Sequence, residues 1–130
     1  ILMSTLLNQG KIEHDWGFEL AFASNKHYSG KILVFEKRGS KTPMWIHKTR
    51  RKSWFVNAGK FKLTFIDVKT GLERSVELDE GKNVDISEMS PHQLESLYPN
   101  STIFEVGLPH YDDDDFKLSP NSSQTQPEAQ

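Results

Sequence analysis

The run Lys60-Phe61-Lys62-Leu63-Thr64-Phe65-Ile66-Asp67 alternates polar with apolar side chains. A period of two belongs to a strand with one wet face and one buried face. Asn57-Ala58-Gly59 before it and Lys69-Thr70-Gly71 after it supply glycines able to take positive φ at hairpin ends. Segments bounded by similar turn signals recur at Gly17 to Ala23, Lys31 to Lys37, Met44 to Lys48, Ser53 to Asn57, Glu73 to Leu78, Asn83 to Ile86 and Thr102 to Val106. This spacing predicts many short antiparallel strands. Pro91 to Tyr98 is the one stretch open to a short helical piece. The fold class is therefore all-β, and strands in this number must hide their edges in a closed barrel or a two-sheet jelly roll. The inside of such a barrel is the default ligand site.

A chain of 130 residues is about one domain, and 35% hydrophobic content is enough for a core. Sixteen basic and eighteen acidic residues leave a formal net charge of −2. With no bulk positive field, neither nucleic acid nor an anionic membrane is an expected partner. The absence of cysteine excludes disulfides, thiolate catalysis and sulfur-ligated zinc, so any metal must use His, Asp or Glu. Uninterrupted aliphatic and aromatic runs such as Ile32 to Phe35 fall far below the ~20 residues that span a bilayer. Ile1 to Gln9 lacks the basic start and small-residue cleavage site of a secretory signal, so a soluble, cytoplasmic protein is expected. Ser119 to Gln130 holds one small apolar side chain, Ala129, and is expected to be a disordered tail. The organisation read from the chain is thus an arm over residues 1–14, a barrel over 15–118 and a tail over 119–130.

Two constellations stand out. The first is Gly39, five residues, Trp45-Ile46-His47, four residues, Lys52, six residues, Gly59. The second runs from Gly81 through five residues to Ser87, then Met89, His92 and Ser96. Around them lie Asp15-Trp16-Gly17-Phe18-Glu19, Trp54-Phe55-Val56-Asn57-Ala58-Gly59, Pro91-His92-Gln93-Leu94-Glu95 and Phe104-Glu105-Val106-Gly107-Leu108-Pro109-His110. In spacing and order these resemble the two motifs and the flanking segments of cupins. The flanks resemble in particular the C-terminal domain of mannose-1-phosphate guanylyltransferase/mannose-6-phosphate isomerase enzymes and their small stand-alone relatives. The resemblance covers roughly Asp15 to Leu118. It implies a double-stranded β-helix, a jelly-roll barrel, and a homodimer in which the apolar Leu2 to Leu7 segment serves as a contact strand.

In metal-binding cupins four positions of these motifs, two His on one strand, a Glu on the next and a third His, hold a divalent cation. Here they read Trp45, His47, Lys52 and His92. Trp cannot ligate a metal and Lys ligates only after losing its proton, so the resemblance implies a barrel without a tight metal site and no cofactor. A divalent metal at His47 and His92, completed by waters or Glu105, is the alternative. Strand alternation puts Trp45 on the face of His47, and places Lys52 and Trp54 on one face of the returning strand. His47, His92 and Lys52 are therefore the catalytic candidates, and Trp45 and Trp54 the ligand-binding ones. Aromatic faces stack on sugar rings while cations hold a phosphate. An imidazole exchanges protons near neutral pH, and Lys52 would polarise a carbonyl oxygen or hold the phosphate.

Two functions follow. One is a carbohydrate-processing cupin that binds a sugar phosphate or nucleotide sugar and isomerises it; the other is a non-catalytic binding or assembly module that has lost metal chemistry. Lys48, Arg50 and Arg51 read as a solvated hairpin turn, His14 and His27 as surface residues, and His110 to Asp115 as a solvated acidic turn after the last barrel strand. The glycosylation patterns at Asn100-Ser101-Thr102 and Asn121-Ser122-Ser123 have meaning only in a secreted chain and are set aside.

Overall fold

The computed structural model describes residues 10–109 and 115–118. Every element among these residues is a strand: β1 (Gly10–His14), β2 (Gly17–Ser24), β3 (Ser29–Phe35), β4 (Met44–His47), β5 (Lys52–Ala58), β6 (Lys60–Ile66), β7 (Glu73–Asp79), β8 (Asn83–Ile86), β9 (His92–Ser96), β10 (Ser101–Gly107) and β11 (Asp115–Leu118). They form a six-stranded sheet in the order β1-β2-β3-β10-β5-β8 and a five-stranded sheet in the order β11-β4-β9-β6-β7. All pairings are antiparallel. The fold is thus all-β, as the alternation requires. No helix long and apolar enough to cross a membrane occurs among the described residues.

The stretch open to a helical piece is strand β9. Its His92, Leu94 and Ser96 turn inward while Gln93 and Glu95 are only half-buried, a period of two over five residues. Two further strands lie outside the expected set. Gly10–His14, read as part of an arm, pairs with β2 at the edge of the six-stranded sheet. Asp115–Leu118, read partly as an acidic turn, pairs with β4 through Phe116↔Ile46 and Lys117↔Trp45. The contact segment Leu2 to Leu7, the tail over 119–130 and the acidic residues 110–114 lie outside the described residues.

The core lies between the sheets and is built on Phe35, Trp54, Phe61, Leu94 and Ile103. Phe61 and Leu63 of β6 turn inward, as their spacing dictates. Gly59 is not the hairpin end expected from the sequence: the chain crosses there from β5 in one sheet to β6 in the other, φ is +82°, and a Cβ would collide with the Ser101 side chain and stand 2.8 Å from its Cα. Gly59→Ala is therefore expected to destabilise the protein by at least ~1–3 kcal/mol from backbone strain alone, read as a lower urea midpoint. A loss below half a kilocalorie would show that the turn relaxes freely.

Candidate functional site

Register brings the site together. On the six-stranded sheet Glu105 of β10 stands directly between Lys31 of β3 and Trp54 of β5, its partner in each ladder. Directly paired residues of antiparallel strands point to the same face, and here that face is the barrel interior. Lys52 enters from the start of β5, and Arg50 from the turn before it. Across the barrel, Trp45 of β4 pairs with His92 of β9, and His47 follows two residues along β4 on the same side.

Glu105 is 2% exposed and is the hub. Arg50 donates from Nη2 to its Oε2 at 2.7 Å, and Trp54 donates from Nε1 to its Oε1 at 2.7 Å. The Lys52 and Lys31 ammonium groups stand 3.8 Å and 3.9 Å away. Burial by itself pushes this carboxyl upward, but Lys52, Lys31, Arg50 and the Trp54 N–H outweigh it and hold it well below the usual carboxylate range. Arg50 also donates to the Leu108 carbonyl at 3.2 Å and to Ser29 Oγ at 3.2 Å. Far from being solvated, it is clamped in the interior. Lys31 completes the line outward, donating to Glu19 at 3.1 Å, and Glu19 meets His14 Nε2 at 3.0 Å. A chain of alternating charges thus runs along the wall from Glu19 through Lys31 and Glu105 to Lys52, with His14 hydrogen-bonded to Glu19 at its outer end.

Lys52 Nζ lies 3.2 Å from His47 Nε2, 5.2 Å from the centre of the Trp45 ring and 4.9 Å from that of Trp54. An ammonium carries only donors, so His47 Nε2 is the acceptor. The aromatic faces around it favour a cation. His47 and His92 have ring centres 5.5 Å apart. His92 donates from Nδ1 to the Ser90 carbonyl at 2.7 Å, while its Nε2 has no hydrogen-bond partner among the described residues. Burial first, then the charge of Lys52, holds the His92 imidazole well below its ordinary pKa, so it is neutral at pH 7.

These residues do not fit a divalent cation. The place beside His47 Nε2 is taken by an ammonium, and the nearest carboxylate is spent on Arg50 and Trp54. No group of three or more His, Asp or Glu among the described residues is arranged to hold an ion.

A cavity of about 670 Å³ opens on this wall. His14, Trp16, Trp45 and His47 line it together with Lys31, Lys41, Arg50, Lys52 and Lys117 and the carboxylates of Asp15, Glu19 and Glu105. Of the sequence candidates, Trp45, His47 and Lys52 therefore face the cavity. Trp54 and His92 stand behind the wall, each 1% exposed. Trp54 cannot present a face for stacking, because its indole N–H is anchored on Glu105 and its ring packs in the core.

The basic run reads as a solvated turn, yet Arg50 is buried, and Glu105, read only as a spare metal ligand, is the hub; His14 is exposed, as expected, and stacks on Trp16 at 4.6 Å. Lys31 and Glu19 went unremarked. Of these, Glu105 and Lys31 had a readable signal: Glu105 shares parity with Ile103 on β10, and Lys31 with Leu33 and Phe35 on β3.

The fold is that of a cupin barrel, and its cavity wall carries a cluster of buried and half-buried charges. No family model and no curated protein matches the sequence. Among solved structures, the capsular polysaccharide assembling protein CapF of Staphylococcus aureus is similar at 17% identity and a TM-score of 0.69, over 93% of this chain and 32% of that one. Oxalate decarboxylase of Bacillus subtilis is similar at 14% identity and a TM-score of 0.75, over 85% of this chain and 30% of that one. Oxalate decarboxylase of Lactobacillus farciminis is similar at 14% identity and a TM-score of 0.71, over 85% and 34%. These are cupin-fold proteins, and at such identities the likeness is one of fold. The chain spans about a third of their length.

Proposed function

We propose that the barrel binds a small anionic carbohydrate, a sugar phosphate or the sugar end of a nucleotide sugar. The observation that carries this reading is the cavity wall, where cationic side chains outnumber carboxylates and Trp45 offers an aromatic face. Its volume of about 670 Å³ is in the range of small-molecule sites. The segments that resemble mannose-6-phosphate isomerase cupins support the same ligand class, as does the likeness in fold to a protein described as assembling capsular polysaccharide.

The geometry favours binding over isomerisation. A general base needs a free lone pair near the substrate, yet His47 Nε2 accepts from Lys52, and His92 lies behind the wall. The second reading of the sequence, a module without catalysis, thus merges with the first.

A thermal-shift screen against mannose, fructose and glucose phosphates and nucleotide sugars tests this. A true ligand at 100 times its Kd is expected to stabilise by ~2.7 kcal/mol. Trp45→Ala is expected to weaken that ligand about tenfold, ~1.4 kcal/mol, in calorimetric titration. No shift with any compound would overturn the proposal, and conversion of mannose 6-phosphate to fructose 6-phosphate, followed by NMR, would overturn the restriction to binding.

A further inference from the structure

We propose that the ligand sits with its anionic group at the cavity mouth, held by Lys41 and Lys117, and its uncharged ring inward against Trp45. This rests on the carbohydrate reading and gives it an orientation, placing a phosphate subsite where sequence reasoning placed none.

The two lysines are delivered to the mouth by the ladder. Lys117 of β11 is the register partner of Trp45 on β4, so its side chain rises beside that indole on the cavity side. Lys41 precedes β4, is tied to Glu95 by an isolated bridge, and lies an even number of residues from Trp45. Both line the cavity and both are exposed. Neither makes an ion pair among the described residues, in contrast to Lys31 and Arg50 further in. Asp15 is the rim carboxylate that opposes them, one against two.

The inner cations are poorly suited to a phosphate. Arg50 and Lys52 surround Glu105, so an anion drawn to them would face a buried carboxylate that stays ionised throughout the ordinary pH range. Like charges at that range in a dry wall repel strongly. A sugar hydroxyl meets no such barrier, because it both donates and accepts. The ammonium of Lys31 and the carboxylate of Glu19 are held in fixed positions beside it. Exposed lysines at the mouth, by contrast, offer charge that salt screens over ~8–10 Å.

The test is calorimetric titration and ligand-observed NMR with mannose 6-phosphate, fructose 6-phosphate and glucose 1-phosphate, each beside its parent sugar. Wild type is compared with Lys41→Gln/Lys117→Gln, whose changes are at exposed positions and whose fold is checked by an unchanged melting curve. The double variant is expected to bind the sugar phosphate about tenfold more weakly and to lose most of the salt dependence, while the parent sugar's NMR response is unchanged. Wild-type affinity and salt dependence in the double variant would overturn the orientation and leave the carbohydrate reading standing. Absence of binding by any of these compounds to wild type would overturn the carbohydrate reading itself, and the orientation with it.

Discussion

Glu105→Gln is expected to cost about 3–5 kcal/mol of folding stability, the usual consequence of removing one partner from a buried ionic cluster. The amide keeps an acceptor for the Trp54 N–H but no longer offsets the charges of Arg50, Lys52 and Lys31, which converge on that point. Arg50 and Lys52 cannot retreat to water without opening the barrel, since each is nearly inaccessible. Urea unfolding at pH 7 reads the effect as a lowered midpoint at unchanged slope. A loss below ~1 kcal/mol would show that the cluster is not a structural hub. Adding Lys52→Met to Glu105→Gln removes one of the facing cations and is expected to recover part of the loss, a coupling that independent sites would not show.

Acid is expected to lower the stability of the protein along two successive limbs of pH. The unfolded His92 imidazole takes up a proton near its ordinary value of 6.5, whereas the folded one resists until well below it. Between these points the unfolded state binds one more proton, so the stability present above pH 6.5 falls as the pH drops, by up to ~1.4 kcal/mol per pH unit. Glu105 adds a second limb in the same direction, beginning near its ordinary 4.5, because its folded carboxyl also protonates later than the unfolded one. Urea titrations at successive pH values should show a plateau at neutrality, a first slope below it and a steeper one in stronger acid. His92→Asn retains a donor for the Ser90 carbonyl and removes the titrating ring, so it should flatten the first limb and spare the second. An unaltered first limb in that variant would assign the acid sensitivity elsewhere.

Most strands were legible because alternation and turn glycines are local signals. Lys60–Ile66 and Asn83–Ile86 announce themselves within their own few residues. Edge strands were harder. Gly10–His14 is almost wholly exposed, so no buried face writes a period into it, and Asp115–Leu118 follows an acidic run that reads as a turn. Parity on β4 and β5 correctly gathers Trp45, His47 and Lys52 on the interior, but it cannot separate a residue that lines a cavity from one packed behind it. Trp54 shows this: its inward direction was readable, and the anchor that seals it comes from a strand 51 residues away. Strand β10 inverts the usual rule, with Phe104 and Val106 exposed while Glu105 is buried. Partners distant in sequence, Lys52, Lys31, Arg50 and Trp54, make that choice favourable, and a turn residue such as Arg50 has no parity to betray it.

The place of β10 between β3 and β5 also shapes how the chain comes together. Arg50 precedes Glu105 by 55 residues, so at ~5–20 residues per second a ribosome exposes the guanidinium for roughly three to eleven seconds before its carboxylate is synthesised. In that interval the six-stranded sheet lacks its middle, and β3 and β5 each present an open edge. Insertion of β10 then closes the ladder and brings a carboxylate among the buried cations in one event, so a half-built barrel has little stability of its own. Folding dominated by such distant pairing is slow and all-or-none, and a nascent chain halted before Ser101 is the form most exposed to strand-to-strand aggregation.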